Sequence, residues 1–165
     1  MTARPTGRAV CHDEGAMESE AERRLELRVW IRLLDCAKLV EKQLRRNFQE
    51  QFDTTLPRFD VLAALDRAPD GLTMGEISRA LLVSNGNVTS IVRQLSEQGL
   101  IDSRPDPNDR RAAIVSMTDA GRAYFKTLAD AHSRWVHEAL SCFPADHQAH
   151  LLALLDQLKS SIRAQ

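Results

Sequence analysis

Two short amphipathic patterns, separated by a four-residue break, constrain this chain more than any other feature. Thr73-Met74-Gly75-Glu76 fits a capping box, in which hydroxyl and carboxylate satisfy free backbone amides reciprocally. It opens a helix of about two turns that buries Met74, Ile77 and Leu81. Val83-Ser84-Asn85-Gly86 breaks that helix, and Ser84 can cap the next one. Val88, Ile91, Val92 and Leu95 then fall at i, i+3, i+4 and i+7, which makes one buried face. Gly99 ends the second helix. The pattern predicts a helix-turn-helix.

Its surroundings set the fold class. Pro57 opens an earlier helix with Phe59, Leu62, Ala63 and Leu65 on its buried side. Ala68-Pro69-Asp70-Gly71 is a breaker. Beyond Gly99, two extended segments, roughly 100–104 and 112–117, flank Pro105-Asp106-Pro107-Asn108-Asp109-Arg110-Arg111. Proline, asparagine and aspartate favour a turn there, so the unit reads as a β-hairpin with a charged tip. Thr118 caps a long helix carrying Phe125, Leu128, His132, Trp135, Ala139 and Cys142 at steps of three and four. Pro144 starts the last helix, with Leu151, Leu154, Leu155, Leu158 and Ile162.

Upstream, Leu25, Val29, Leu33, Cys36, Val40, Leu44 and Phe48 form a stripe on a helix that begins at about Glu18. Leu27, Trp30, Ile31 and Leu34 widen the apolar surface beyond one stripe. Such a helix must be covered on more than one side, most simply by a partner chain. The expected fold is mainly α with a small β-hairpin wing (α+β). A winged helix-turn-helix lobe over about 56–118 is flanked by dimerisation helices over about 18–52 and 119–163, in one domain spanning 18–165. Residues 1–17 are small and polar without period and read as a disordered arm.

Composition limits the alternatives. The net charge of −1 means that any affinity for nucleic acid must come from a local surface rather than total charge. Cys11, Cys36 and Cys142 have neither zinc-site nor CxxC spacing and read as idle thiols in a reducing cytosol. No apolar run approaches the roughly 18 residues of a membrane span, and no signal-peptide core is present. A soluble cytoplasmic protein without a membrane partner is expected. There is no P-loop, no GxGxxG after a strand and no GxSxG elbow, so neither enzyme activity nor a cofactor is expected. His132 and His137 lie on different helix faces, and His147 with His150 are two ligands only, so no metal site is expected.

The second helix of the pair shows Asn85, Asn87, Thr89, Ser90, Arg93 and Gln94 opposite its apolar face, with no acid before Glu97. Amides, hydroxyls and a guanidinium are the groups that read base edges in a major groove. A merely solvated face would carry lysine and glutamate. Ser84 and the free amides beside it suit a phosphate. Arg110 and Arg111 at the hairpin tip, with Arg104 on the approaching strand, suit a minor groove, and Asp109 can hold one of them by a charge-assisted pair.

These residues resemble the MarR family of winged-helix regulators. The resemblance rests on Leu56-Pro57-Arg58-Phe59-Asp60-Val61-Leu62, Gly71-Leu72-Thr73, Val83-Ser84-Asn85-Gly86-Asn87-Val88-Thr89, Leu95, Gly99-Leu100-Ile101 and Arg104. It continues through Asp106-Pro107-Asn108-Asp109-Arg110-Arg111 and Thr118-Asp119-Ala120-Gly121. It implies a two-fold homodimer on double-stranded DNA, with the recognition helices in major grooves and the wings in minor grooves. Thr73, Ser84, Asn85, Asn87, Thr89, Ser90, Arg93, Gln94, Arg104, Asp109, Arg110 and Arg111 are then the candidate DNA contacts. It also implies a repressor that a small aromatic ligand releases from a pseudo-palindromic operator.

Trp30, Arg32, Arg58, Phe59, His132 and Trp135 are the candidate ligand residues, offering an apolar body with a few polar groups. The competing reading makes the aromatics core and the arginines solvated. The effector would be an aromatic acid or its coenzyme A thioester. A peroxide-sensing cysteine would lie near Ile31, whereas Cys36 lies further along in the apolar stripe. A protein-binding winged helix is the remaining alternative, and it would not need the polar face.

Overall fold

The computed structural model describes residues 14–81, 85–107, 109 and 112–164. The elements are α1 (Glu14–Phe52), α2 (Leu56–Asp66), β1 (Leu72–Thr73), α3 (Met74–Leu81), α4 (Asn85–Glu97), β2 (Ile101–Pro105), β3 (Ala113–Met117), α5 (Asp119–Leu140) and α6 (Ala145–Arg163). This is an α+β winged-helix arrangement. The chain divides into residues 1–41 and 42–165.

In the first unit the described chain is helical from Glu14, inside the stretch read as an arm. Leu25 and Val29 lie on one side, Leu27, Trp30 and Ile31 on the other, and all five are exposed.

In the second unit α1 ends at Phe52, and the next residue, Asp53, takes a φ of 47° in the left-handed region. Pro57 sits in the first turn of α2, behind the N-cap Thr55. The core gathers Phe48, Val61, Leu62, Ile77, Val88, Leu95, Ile101 and Leu128, each without exposed surface or nearly so. The expected hairpin is present, one residue later in each strand's start, and it is larger than expected. β1 adds to it antiparallel, giving the order β1-β3-β2 with Leu72 opposite Val115 and Ile101 opposite Met117.

Two of the capping signals read from the sequence are realised, at Thr73 and Thr118, while Ser84 lies outside the described residues. The Thr73 amide donates to Glu76 Oε2 at 2.8 Å and the Glu76 amide to Thr73 Oγ1 at 3.3 Å. Thr118 accepts from the Gly121 amide at 3.0 Å. In α3, Ile77 and Ser78 are buried while Met74 and Leu81 are half-covered, so the buried side is narrower than the apolar pattern alone implied. Among the described residues no helix is long and apolar enough to cross a membrane.

Candidate nucleic-acid interface

α4 is built to show one side and hide the other. Val88 and Leu95 are fully buried, and Ile91 and Val92 are half-buried beside them. At about 100° per residue, Thr89, Arg93, Glu97, Ser90, Gln94 and Asn87 sweep the opposite side in that order. All six are exposed. The helix stops where the sequence says. Gly99 takes φ +70°, its amide donates to Ser96 O at 2.9 Å, and the Leu100 amide donates to Leu95 O at 3.0 Å. That paired return is a Schellman stop, and it sends the chain directly into β2.

The hairpin is set against the start of α5 by close backbone approach. Thr118 Oγ1 donates to Gly99 O at 2.8 Å, and the Thr118 amide donates to Leu100 O at 3.1 Å. Leu100 O would lie 1.9 Å from a Cβ on residue 121, so only glycine fits there. The Thr-x-x-Gly signature is thus a packing device that fixes the base of the wing to α4 and α5.

The other candidate DNA residues fall into three groups. Asn87, Thr89, Ser90, Arg93 and Gln94 share the open face of α4. Thr73 and Arg104 are engaged within the fold: Thr73 Oγ1 donates to Glu76 Oε2 at 2.8 Å, and Arg104 Nη2 donates to the Asp70 carbonyl at 3.1 Å. Hydrogen bonds from the Thr73 amide and hydroxyl hold the Glu76 carboxyl below its ordinary pKa. Thr73 and Asp109 line one recess of about 480 Å³ between the start of α3 and the hairpin, together with Met74, Gly75 and Asp106. Ser84, Arg110 and Arg111, and the side chain of Asn85, lie outside the described residues.

The candidate ligand residues separate as well. Phe59, His132 and Trp135 come together around Phe48, at ring separations of 5.0 Å for Phe48–Phe59, 4.7 Å for Phe59–His132 and 5.0 Å for Phe48–Trp135. Phe125 extends the stack at 5.6 Å from Phe59. The rings fill the interior with one another, and burial pushes the His132 pKa down. Arg58 donates to Gln98 Oε1, tying α2 to the end of α4, while its Nε is buried without a partner. Trp30 and Arg32 are exposed in the first unit, with Arg32 facing Asp35 at 4.0 Å. Sequence reasoning missed the Arg58–Gln98 and Arg104–Asp70 ties and strand β1. The ties span 40 and 34 residues, a separation over which no local pattern signals contact.

Comparison with known proteins agrees with this geometry. The family model described as MarR family matches residues 52–112. The transcriptional activatory protein BadR of Rhodopseudomonas palustris is 32% identical over 87% of this chain and 87% of its own length. A crystal structure of a MarR family transcriptional regulator from Silicibacter pomeroyi superposes with a TM-score of 0.73 at 31% identity, covering 86% of this chain and 97% of that one. A mutant MarR from E. coli complexed with operator DNA gives 0.70 at 25% identity, covering 81% and 95%.

Proposed function

The chain belongs to the MarR family, a family of DNA-binding transcriptional regulators rather than enzymes, and from that premise we propose that it reads a pseudo-palindromic operator as a homodimer. One observation carries the reading. The exposed side of α4 offers Asn87, Thr89, Ser90, Arg93 and Gln94 over a buried Val88–Leu95 seam, with no acid before Glu97. Those groups match the donor and acceptor code of the major groove. Arg110 and Arg111, in the stretch of sequence between β2 and β3, are suited to the neighbouring minor groove, where narrow, negative surface attracts guanidinium. Two copies place their recognition helices about one helical turn of DNA apart, roughly 34–36 Å. The uncovered leucines of α6 supply apolar surface for the pairing. The protein acts in the cytoplasm beside the chromosome.

Bound over a promoter, such a dimer represses. Release follows when a small aromatic acid, free or as its coenzyme A thioester, enters among Phe59, His132 and Trp135 and disturbs the packing of α2. Arg58 then transmits the change to Gln98 at the end of α4. A second reading has one specific support: the 32%-identical relative from Rhodopseudomonas palustris is named a transcriptional activatory protein. A reporter with the operator moved upstream of the promoter separates the two, since an activator raises expression there and an occluding repressor does not.

Fluorescence anisotropy on duplex from the gene's own upstream region tests the DNA reading, with scrambled duplex as competitor at near-physiological salt. Arg93→Ala is expected to cost sequence preference more than non-specific affinity. An equal loss on every duplex would reduce Arg93 to a phosphate contact. Loss of all DNA binding by the wild-type protein would favour a protein-binding winged helix.

A further inference from the structure

Arg93 and Glu97 are the only charged side chains of α4, and they face each other. Arg93 Nε lies 3.7 Å from Glu97 Oε1, with both side chains about two-thirds exposed or more. The rest of the open face is neutral. Local helix energetics does not account for an acid at this place. Glu97 is the last residue of α4, where the carbonyl ends disfavour a carboxylate. The order arginine then glutamate is the weaker orientation of an i,i+4 pair, and an exposed pair adds little stability in any case. A residue that runs against two local rules marks a position kept for function rather than for folding.

We propose that Glu97 is a specificity-determining residue that acts through Arg93, keeping its guanidinium off the phosphates and available to a base edge. The proposal rests on the reading of α4 as the groove-facing helix. A free guanidinium entering a groove is captured by the nearest phosphate, and that contact carries no sequence information. A carboxylate one turn along holds the guanidinium and neutralises part of its charge. On the right sequence Arg93 keeps its Nε beside Glu97 and offers its two Nη groups to the two acceptors of a guanine edge, a strong and directional pair. On the wrong sequence it stays with Glu97 alone. Glu97 therefore weakens binding to all DNA, and weakens it least where Arg93 finds its base.

Glu97→Gln keeps the shape and removes the charge. The test is competition anisotropy from 50 to 200 mM salt on scrambled duplex and on an operator that the wild-type protein selects from random sequence, with Arg93→Gln and the double variant alongside. Glu97→Gln is expected to bind scrambled duplex roughly three- to tenfold tighter and to steepen its log–log salt slope by about one. Operator affinity should change less than about twofold, so discrimination falls. In the Arg93→Gln background the same change should leave discrimination within about twofold. A melting temperature at or above wild type is expected for Glu97→Gln, since a carboxylate leaves a helix C-terminus. Equal gains on both duplexes, or unchanged discrimination, overturn the proposal while the groove reading stands. A full effect in the Arg93→Gln background overturns the route through Arg93. Failure of the wild-type protein to select any sequence overturns the groove reading itself, and this proposal with it.

Discussion

α4 and α6 are both amphipathic helices, yet α4 hides its apolar face and α6 does not. Val88 and Leu95 on α4 have no exposed surface, because α2, α3 and the sheet close over them. On α6 no residue is buried, and Leu151, Leu152, Leu154, Leu155, Leu158 and Ile162 are 37–62% exposed. The helix starts differ in the same sense. α5, which leaves the lobe, is locked by Thr118 to Gly99, Leu100 and Gly121, whereas Pro144 gives α6 no side-chain cap. The lobe completes itself within one chain. α6 leaves five leucines and an isoleucine exposed along its length, surface of the kind that marks a protein–protein contact, and the proposed second copy is what covers it.

The largest expected effect breaks that cover. Leu155→Asp with Leu158→Asp puts two charges into the exposed leucine face while leaving the lobe intact. Light scattering should show a shift from two chains to one, and operator affinity should fall at least about 100-fold as the second half-site is lost. A persistent two-chain mass would remove α6 from the interface. Leu62→Ala sharpens the other side of the comparison. Leu62 is fully buried in α2, so the deletion should cost about 2–5 kcal/mol. Leu155→Ala should instead lower Tm in a concentration-dependent way, as the stability of an associating region does. If Tm follows concentration equally in both variants, the lobe does not complete itself.

Gly121→Ala ranks next, at about 1–3 kcal/mol for a contact that the backbone must yield to relieve. The cost falls on the joint between α4, the hairpin and α5, since the new Cβ would meet Leu100 O. Thermal melts read the stability. A loss of wing contacts to DNA larger than the loss of stability explains would show that this joint aims the hairpin. An unchanged melt would mean that Leu100 moves freely.

What could be read beforehand follows the same division between local and distant. Gly99, Thr118, Pro57 and the Thr73–Glu76 box act on their own neighbours, so their spacing alone placed them. Strand β1 is two residues long and exists only because β3 lies beside it, 43 residues on by the pairing of Leu72 with Val115. Arg104 fits a minor-groove role by type and position, yet its guanidinium also reaches the Asp70 carbonyl, and residue type does not announce that partner. Phe59 in α2, and His132 with Trp135 in α5, each fall in an apolar stripe of their own helix, a pattern that core and pocket share. Only the packing of Phe48 against all three shows that they meet one another.

The smallest expected effect lies in that aromatic group, on the self-covered side of the comparison. His132 stacks on Phe59 and Phe48, and burial lowers its pKa below the ordinary 6.5. The unfolded chain therefore binds this proton more readily than the folded one. Stability from a neutral, stacked imidazole is fully present above about pH 6.5 and is lost as pH falls toward the lower folded value. His132→Phe keeps a ring in the stack and removes the titration. Its unfolding free energy should lose the part of the slope between neutral and mildly acidic pH that His132 contributes, and chemical denaturation at several pH values measures this. An unchanged slope would mean that the imidazole reaches water when charged, and that the seam between α2 and α5 opens more easily than the covered rings imply.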